Sequence, residues 1–249
     1  MNVTVCVKRV PDTATRIRIA SSGRDVERDG VKHVIGPYDE FALEAALQLV
    51  EEAGAGEVAL LSFGPEATKE SLRSGLALGA HRAVLLKGEP TMDGWATAQV
   101  LAAELKGGDS GLVLFGVKAV DDDQQQVGPM VAELLGRPCA TSVTSLAVDG
   151  RTVTCRRAVE GGQEVVEMDL PAVATLTKGE YEPRYASLRG IMTAKRKPMI
   201  EKEAPAVEAG VAVEELDYPP PRPEGRIVGE GADAVPELLR LLREEAKVI

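Results

Sequence analysis

Short apolar runs that alternate with helix-like stretches leave this chain few architectures to adopt. Val3 to Val7, Glu57 to Phe63, Arg82 to Leu86 and Gly111 to Phe115 are nearly continuous apolar runs, the pattern of strands covered on both faces. Between them, Asp39 to Glu52, Glu66 to Leu78 and Asp93 to Leu105 repeat apolar residues at three- and four-residue spacing, the stripe of an amphipathic helix. Strands buried on both sides and linked by helices predict an α/β fold with a doubly wound, mainly parallel sheet. Pro65 after Gly64 predicts a first helical turn, Asp93 a side-chain cap and Gly79 a helix stop.

After Leu135 the pattern changes. Ser142 to Val148, the turn Asp149-Gly150 and Thr152 to Ala158 read as a hairpin, followed by a strand from Gln163 to Asp169. An antiparallel extension of the same domain is expected. From Ala204 the sequence is loop-like, with Tyr218-Pro219-Pro220-Pro221-Arg222-Pro223 as an extended spacer before a terminal helix from Pro236 to Lys247. The expected organisation is a domain over 1–203 and a C-terminal arm over 204–249. Such a tail buries little of itself, so it is either a linker to a docked helix or an arm around another chain.

The formal charge of -10 repels a phosphate backbone and argues against a nucleic-acid role. The one tight basic run, Lys195-Arg196-Lys197, reads as a solvated helix end. Cys6, Cys139 and Cys155 are too scattered for a disulfide framework or a zinc site, which fits a reducing compartment. With no secretory leader and no run of membrane-spanning length, a cytoplasmic protein without membrane insertion is expected.

Walker, GxGxxG, GxSxG and SGGxDS motifs are all missing, and His33 and His81 stand alone as structural residues. No catalytic residue and no metal site is expected. The most unusual stretch is Gly116-Val117-Lys118-Ala119-Val120-Asp121-Asp122-Asp123-Gln124-Gln125-Gln126-Val127-Gly128, between a strand end and a helix start. In doubly wound sheets ligands gather at the carboxyl ends of strands, and helix-start amides there can hold a phosphate. The aspartates could cap that helix or bind ribose hydroxyls; a plain solvated acidic loop is the alternative. A second stretch, Tyr181-Glu182-Pro183-Arg184-Tyr185-Ala186-Ser187-Leu188-Arg189-Gly190-Ile191-Met192, brackets apolar residues with proline and glycine. It reads either as a loop presenting an apolar anchor to a partner or as a helix packing those residues into the core.

Taken in order, Val7-Lys8-Arg9-Val10-Pro11-Asp12, Gly36-Pro37-Tyr38-Asp39-Glu40, the triple-aspartate loop, Val159-Glu160-Gly161-Gly162, Leu170-Pro171-Ala172-Val173 and Pro183 to Lys195 resemble electron-transfer flavoprotein β subunits over almost the whole chain. The resemblance implies an electron carrier rather than an enzyme, working as a heterodimer with an α subunit that carries most of the redox FAD. It implies a buried AMP in this chain, lined by Cys6, Gly36, Pro37, Tyr38, Asp39, Phe63 and Gly116 through Val127. Thr13 and Tyr38 would lie near the α-bound FAD. Arg184, Tyr185, Leu188, Ile191 and Met192 would form the element that docks flavin-dependent dehydrogenases, whose electrons pass on to a membrane-linked quinone reductase.

Two departures stand out. Thr13 replaces an aromatic residue of some relatives, and Thr193 and Arg196 replace methylatable lysines of others. The loop Asp121 to Gln126 resembles the AMP-holding type, whereas Val127-Gly128-Pro129 resembles the bifurcating branch, which holds a second FAD. A rival of another class is an adenine-nucleotide hydrolase or sensor on the same kind of sheet.

Overall fold

The computed structural model describes residues 1–90, 93–222 and 224–249; Pro223 of the proline-rich stretch lies outside the described residues. The chain opens with β1 (Val3–Cys6), β2 (Arg9–Pro11), β3 (His33–Ile35) and α1 (Pro37–Ala53). It continues through β4 (Val58–Gly64), α2 (Thr68–Leu78), β5 (Arg82–Lys87), α3 (Gly94–Lys106), β6 (Leu112–Gly116) and α4 (Val127–Leu135). The second half holds β7 (Cys139–Asp149), β8 (Thr152–Val159), β9 (Gly162–Asp169), β10 (Ala172–Leu176), α5 (Leu188–Ala194) and β11 (Met199–Glu203). A 3₁₀ turn (Ala232–Ala234) and α6 (Val235–Glu244) follow.

Among the described residues, nine strands form one sheet in the order β11-β5-β4-β1-β6-β10-β7-β8-β9. Every pairing from β11 to β7 is parallel, and β7-β8-β9 form the antiparallel extension. The fold is the doubly wound α/β class. Val5 pairs with Leu60 on one side and Leu114 on the other, so β1 sits inside the sheet. Alternate side chains then go to opposite cores. Val3, Val5, Leu112 and Leu114 join Leu43, Leu47, Leu72 and Leu76 from α1 and α2, whereas Cys6, Val113 and Phe115 join Val100, Leu101 and Val131 from α3 and α4. Burial on both faces is why these strands read as unbroken apolar runs.

The crossovers from β1 through β4 to β5 build one side of the sheet, and the return to β6 starts the other. The strand order thus reverses between β1 and β6, the switch point at whose carboxyl ends sheets of this class form their ligand crevice.

Four local features depart from the sequence reading. Pro65 lies in a turn ahead of α2 rather than in it, because Thr68 N and Lys69 N donate to Pro65 O and Glu66 O. The proline-rich stretch does lead to a terminal helix, but that helix stops at Glu244 rather than Lys247. β10 enters the sheet centre between β6 and β7, a strand for which periodicity offered no signal. β11 adds a parallel edge to β5, with its charged Glu201, Lys202 and Glu203 tolerated by solvent.

The chain divides into two compact units, Met1–Glu215 and Leu216–Ile249. The segment after β11 stays with the first: Ala204 N donates to Lys87 O, and Gly210 N and Val211 N donate to Asp93 Oδ2. In the second unit α6 is laced by Arg240 to Glu237 and Glu244 and leaves Val235, Leu238 and Leu239 exposed.

Candidate functional site

Asp39 ties the crevice together. Gly36 caps α1, and Pro37 occupies its first turn, where a missing N–H costs nothing. The helix therefore starts at the strand ends and delivers Asp39 between them. Asp39 Oδ2 accepts from Lys8 N at 2.8 Å and Oδ1 from Gly116 N at 3.1 Å, joining the ends of β1 and β6. The approach is close enough to require glycine on both sides. A Cβ on Gly36 would lie 2.6 Å from Asp39 Oδ2, and one on Gly116 would lie 2.8 Å from Asp39 N.

Burial raises the Asp39 carboxyl to about 7, opposed by the two amides and by Lys8, which favour the anion. The folded state therefore holds this proton to higher pH than the unfolded chain, whose carboxyl titrates near ~3.9. The Asp39 contribution to stability is complete below that value and is lost as pH rises through about 7. A carboxyl ¹³C NMR titration is expected to place the Asp39 midpoint near 7, and an ordinary carboxylate midpoint would contradict the burial argument.

The loop from Val117 to Gln126 closes one wall. Val117 N donates to Leu176 O at 2.7 Å, fixing its start to β10. Asp121 and Asp122 bind Lys8 Nζ, and Asp123 binds Lys118 Nζ, which also lies 5.8 Å from the Tyr38 ring centre. The aspartates therefore do not cap α4, whose cap position is Gln126 without a side-chain hydrogen bond. Gln125 has φ of 56° and is followed by a right-handed Gln126, a left–right pair that turns successive amides to one side. Such a concavity next to an uncapped helix start is suited to an anion. Gly94, at the start of α3, makes room for the wall: a Cβ there would lie 2.5 Å from Gln126 Nε2. A phosphate fits this surface chemically, and the flanking carboxylates suit sugar hydroxyls.

The residues expected to line a nucleotide site divide as follows. Gly36, Pro37, Tyr38 and Asp39 form the start of α1, Gly116 through Val127 the opposite wall, and Cys6 lies buried at the end of β1. Its thiol is pushed well up by burial and then by Asp39, so it is chemically inert. Phe63 stands further along, at the end of β4, against Gly88 and Ala204. Thr13 is exposed in the segment between β2 and β3. His33 and His81 bond to the backbone near Val31 and Val58. Among the described residues no group of three or more His, Cys, Asp or Glu side chains is placed to hold a metal. Sequence reasoning assigned no role to Lys8, although it lies in a motif already singled out, or to Asp93 beyond helix capping.

The second stretch becomes helical only at Leu188: Tyr181 is buried with its hydroxyl bonded to Leu146, whereas the apolar residues from Tyr185 onward face outward. Ser187 Oγ accepts from Gly190 N at 3.0 Å and starts α5. α5 packs on α2: a Cβ on Gly190 would collide with Ala77 O, Ala194 is buried, and Arg73 Nη1 donates to Ala194 O at 2.6 Å. What remains outside is apolar: Tyr185 is 97% exposed, Leu188 83% and Met192 74%, with Ile191 half exposed.

Arg184 behaves differently from these neighbours. Its guanidinium grips the buried Glu44 and the exposed Glu51 of α1, fixing the start of the segment. Arg184→Met leaves Glu44 buried without its cation, an expected loss of about 2 kcal/mol after discounting for the part-exposed arginine. Urea unfolding of the variant checks this, and an unchanged midpoint would contradict it.

These features define a doubly wound α/β protein with an acidic loop and a helix start facing each other at its switch point and a separate anchored apolar patch. No helix among the described residues is long and apolar enough to cross a membrane. Residues 24–207 match the Electron transfer flavoprotein domain. The chain is 39% identical over 249 residues to electron transfer flavoprotein subunit beta of Bradyrhizobium diazoefficiens, and 38% identical over 260 to that of Bacillus subtilis, with 100% of each chain covered. It is 35% identical over 252 residues to the human protein of the same name, with 98% of each chain covered. The chain belongs to the electron transfer flavoprotein family, among its β subunits.

Proposed function

We propose that this chain is the β half of a cytoplasmic heterodimeric electron carrier, holding AMP in the crevice between β1 and β6 and supporting FAD carried mainly by an α subunit. When bound, FAD supplies the electron-accepting ring. This chain makes and breaks no substrate bond; its residues position nucleotides and partners. The α4 start and the Gln125–Gln126 turn bind the AMP phosphate, Asp39 braces the two strand ends, and Tyr38 and Thr13 face the α-bound flavin. Residues 216–249 form an arm that engages α, in line with the apolar side chains α6 leaves exposed. Leu188, Met192 and Tyr185 dock flavin-dependent dehydrogenases, and the assembled carrier passes electrons to a membrane-linked quinone reductase.

The observation that carries this reading is an apolar patch held outward on an anchored helix, in a chain alike over its whole length to electron-transfer subunits. Co-expression with the adjoining α chain tests it. A yellow heterodimer reduced by a flavin dehydrogenase supports the carrier, whereas failure to pair with α, or ATP turnover by the isolated chain, refutes it.

A further inference from the structure

We propose that Lys8 is a positioning residue of the nucleotide site, neutralising and holding Asp121 and Asp122 so that an acidic loop can present its amides to a phosphate. The inference rests on the crevice being a nucleotide site. Lys8 directly follows β1, and its main chain is fixed from two sides: its N–H donates to Asp39 Oδ2 at 2.8 Å, and its carbonyl accepts from Gly36 N at 2.9 Å. From there its ammonium reaches across the crevice to Asp121 Oδ1 at 2.9 Å and Asp122 Oδ2 at 2.8 Å. One lysine therefore pins the middle of the loop to β1, while Val117 N pins its start to β10.

The charge argument is independent of the geometry. Three consecutive aspartates beside an anion site repel a phosphate unless cations offset them, and a part-buried site screens that repulsion poorly. Lys118 pairs with Asp123, leaving Lys8 for the other two. Burial alone lowers the Lys8 ammonium, but the two carboxylates outweigh it and hold it above the ordinary lysine value. Lys8 thus stays charged wherever AMP carries its phosphate charge.

Calorimetric titration of the full chain with AMP tests the proposal. Lys8→Met is expected to weaken AMP about tenfold, while Lys8→Arg retains binding. Adding Asp121→Asn and Asp122→Asn to Lys8→Met is expected to recover most of the affinity, because the uncompensated carboxylates are gone. Lys8→Gln takes the place of Lys8→Met if that variant does not fold. Wild-type binding with an equal affinity in the charge-removed variant overturns the role of Lys8 and leaves the nucleotide site standing. A loss that persists undiminished in the triple variant overturns the neutralising role of Lys8. Absence of AMP binding by the wild-type chain instead removes the nucleotide reading itself.

Discussion

Leu188→Ala in the assembled heterodimer is expected to weaken capture of flavin dehydrogenases about ten- to hundredfold while leaving nucleotide content and thermal unfolding unchanged. The size follows from the ~1.5–3 kcal/mol gained when a leucine is buried at an interface. The specificity follows from its setting: Leu188 is 83% exposed at the first position of α5. A core leucine behaves otherwise, since truncation there costs ~2–5 kcal/mol of folding stability through the cavity left behind. Leu76, fully buried on α2 under the same helix, is the internal contrast. Dehydrogenase-coupled reduction and melting temperature, measured on the same preparations, separate the two. A large fall in melting temperature for Leu188→Ala with unchanged reduction kinetics would place this leucine in the packing of the chain rather than on its docking face.

Gln125→Pro is expected to empty the nucleotide site, and Gln125→Gly to leave it filled. Proline holds φ near -65° and has no N–H, whereas Gln125 sits at φ 56°, which glycine adopts without strain. The glycine variant therefore removes the side chain and keeps the amide concavity; the proline variant destroys the concavity. Each charged hydrogen bond lost is worth ~1.5–3 kcal/mol, so even one reduces affinity about ten- to hundredfold. Replacing both Gln125 and Gln126 by proline compounds the effect at the cap of α4. Quantifying nucleotide released from the folded variants decides the matter. Equal content in the proline and glycine variants would move the phosphate away from this turn.

The reach of sequence reasoning here follows from what each feature depends on. β1, β4, β5 and β6 are covered on both faces, so their apolar character survives at every position and their limits were legible to within a residue or two. β10 is equally buried, but its place between β6 and β7 is a matter of topology, and no local pattern encodes which neighbours a strand takes. β2 and β3 are three residues long, too short for periodicity to register. At the site, the helix start and the acidic loop were visible as unusual composition. The brace at Asp39 and the clamp at Lys8 were not, since they join groups 31 to 114 positions apart. For Tyr185 to Met192, apolar content alone left a core helix and a docking loop open. The outcome, a helix with its apolar side outward, was set by Gly190, which turns the glycine side of α5 toward α2.

Identification of the nucleotides released from this chain, alone and paired with α, bears most directly on its role. Mass spectrometry of the denatured isolated chain is expected to give AMP in near one-to-one amount with little FAD, and the heterodimer is expected to give AMP and FAD together. Stoichiometric FAD in the isolated chain would contradict a structural AMP and place the protein in the electron-bifurcating branch, and release of no nucleotide from either preparation would contradict the nucleotide site at the β1–β6 switch point.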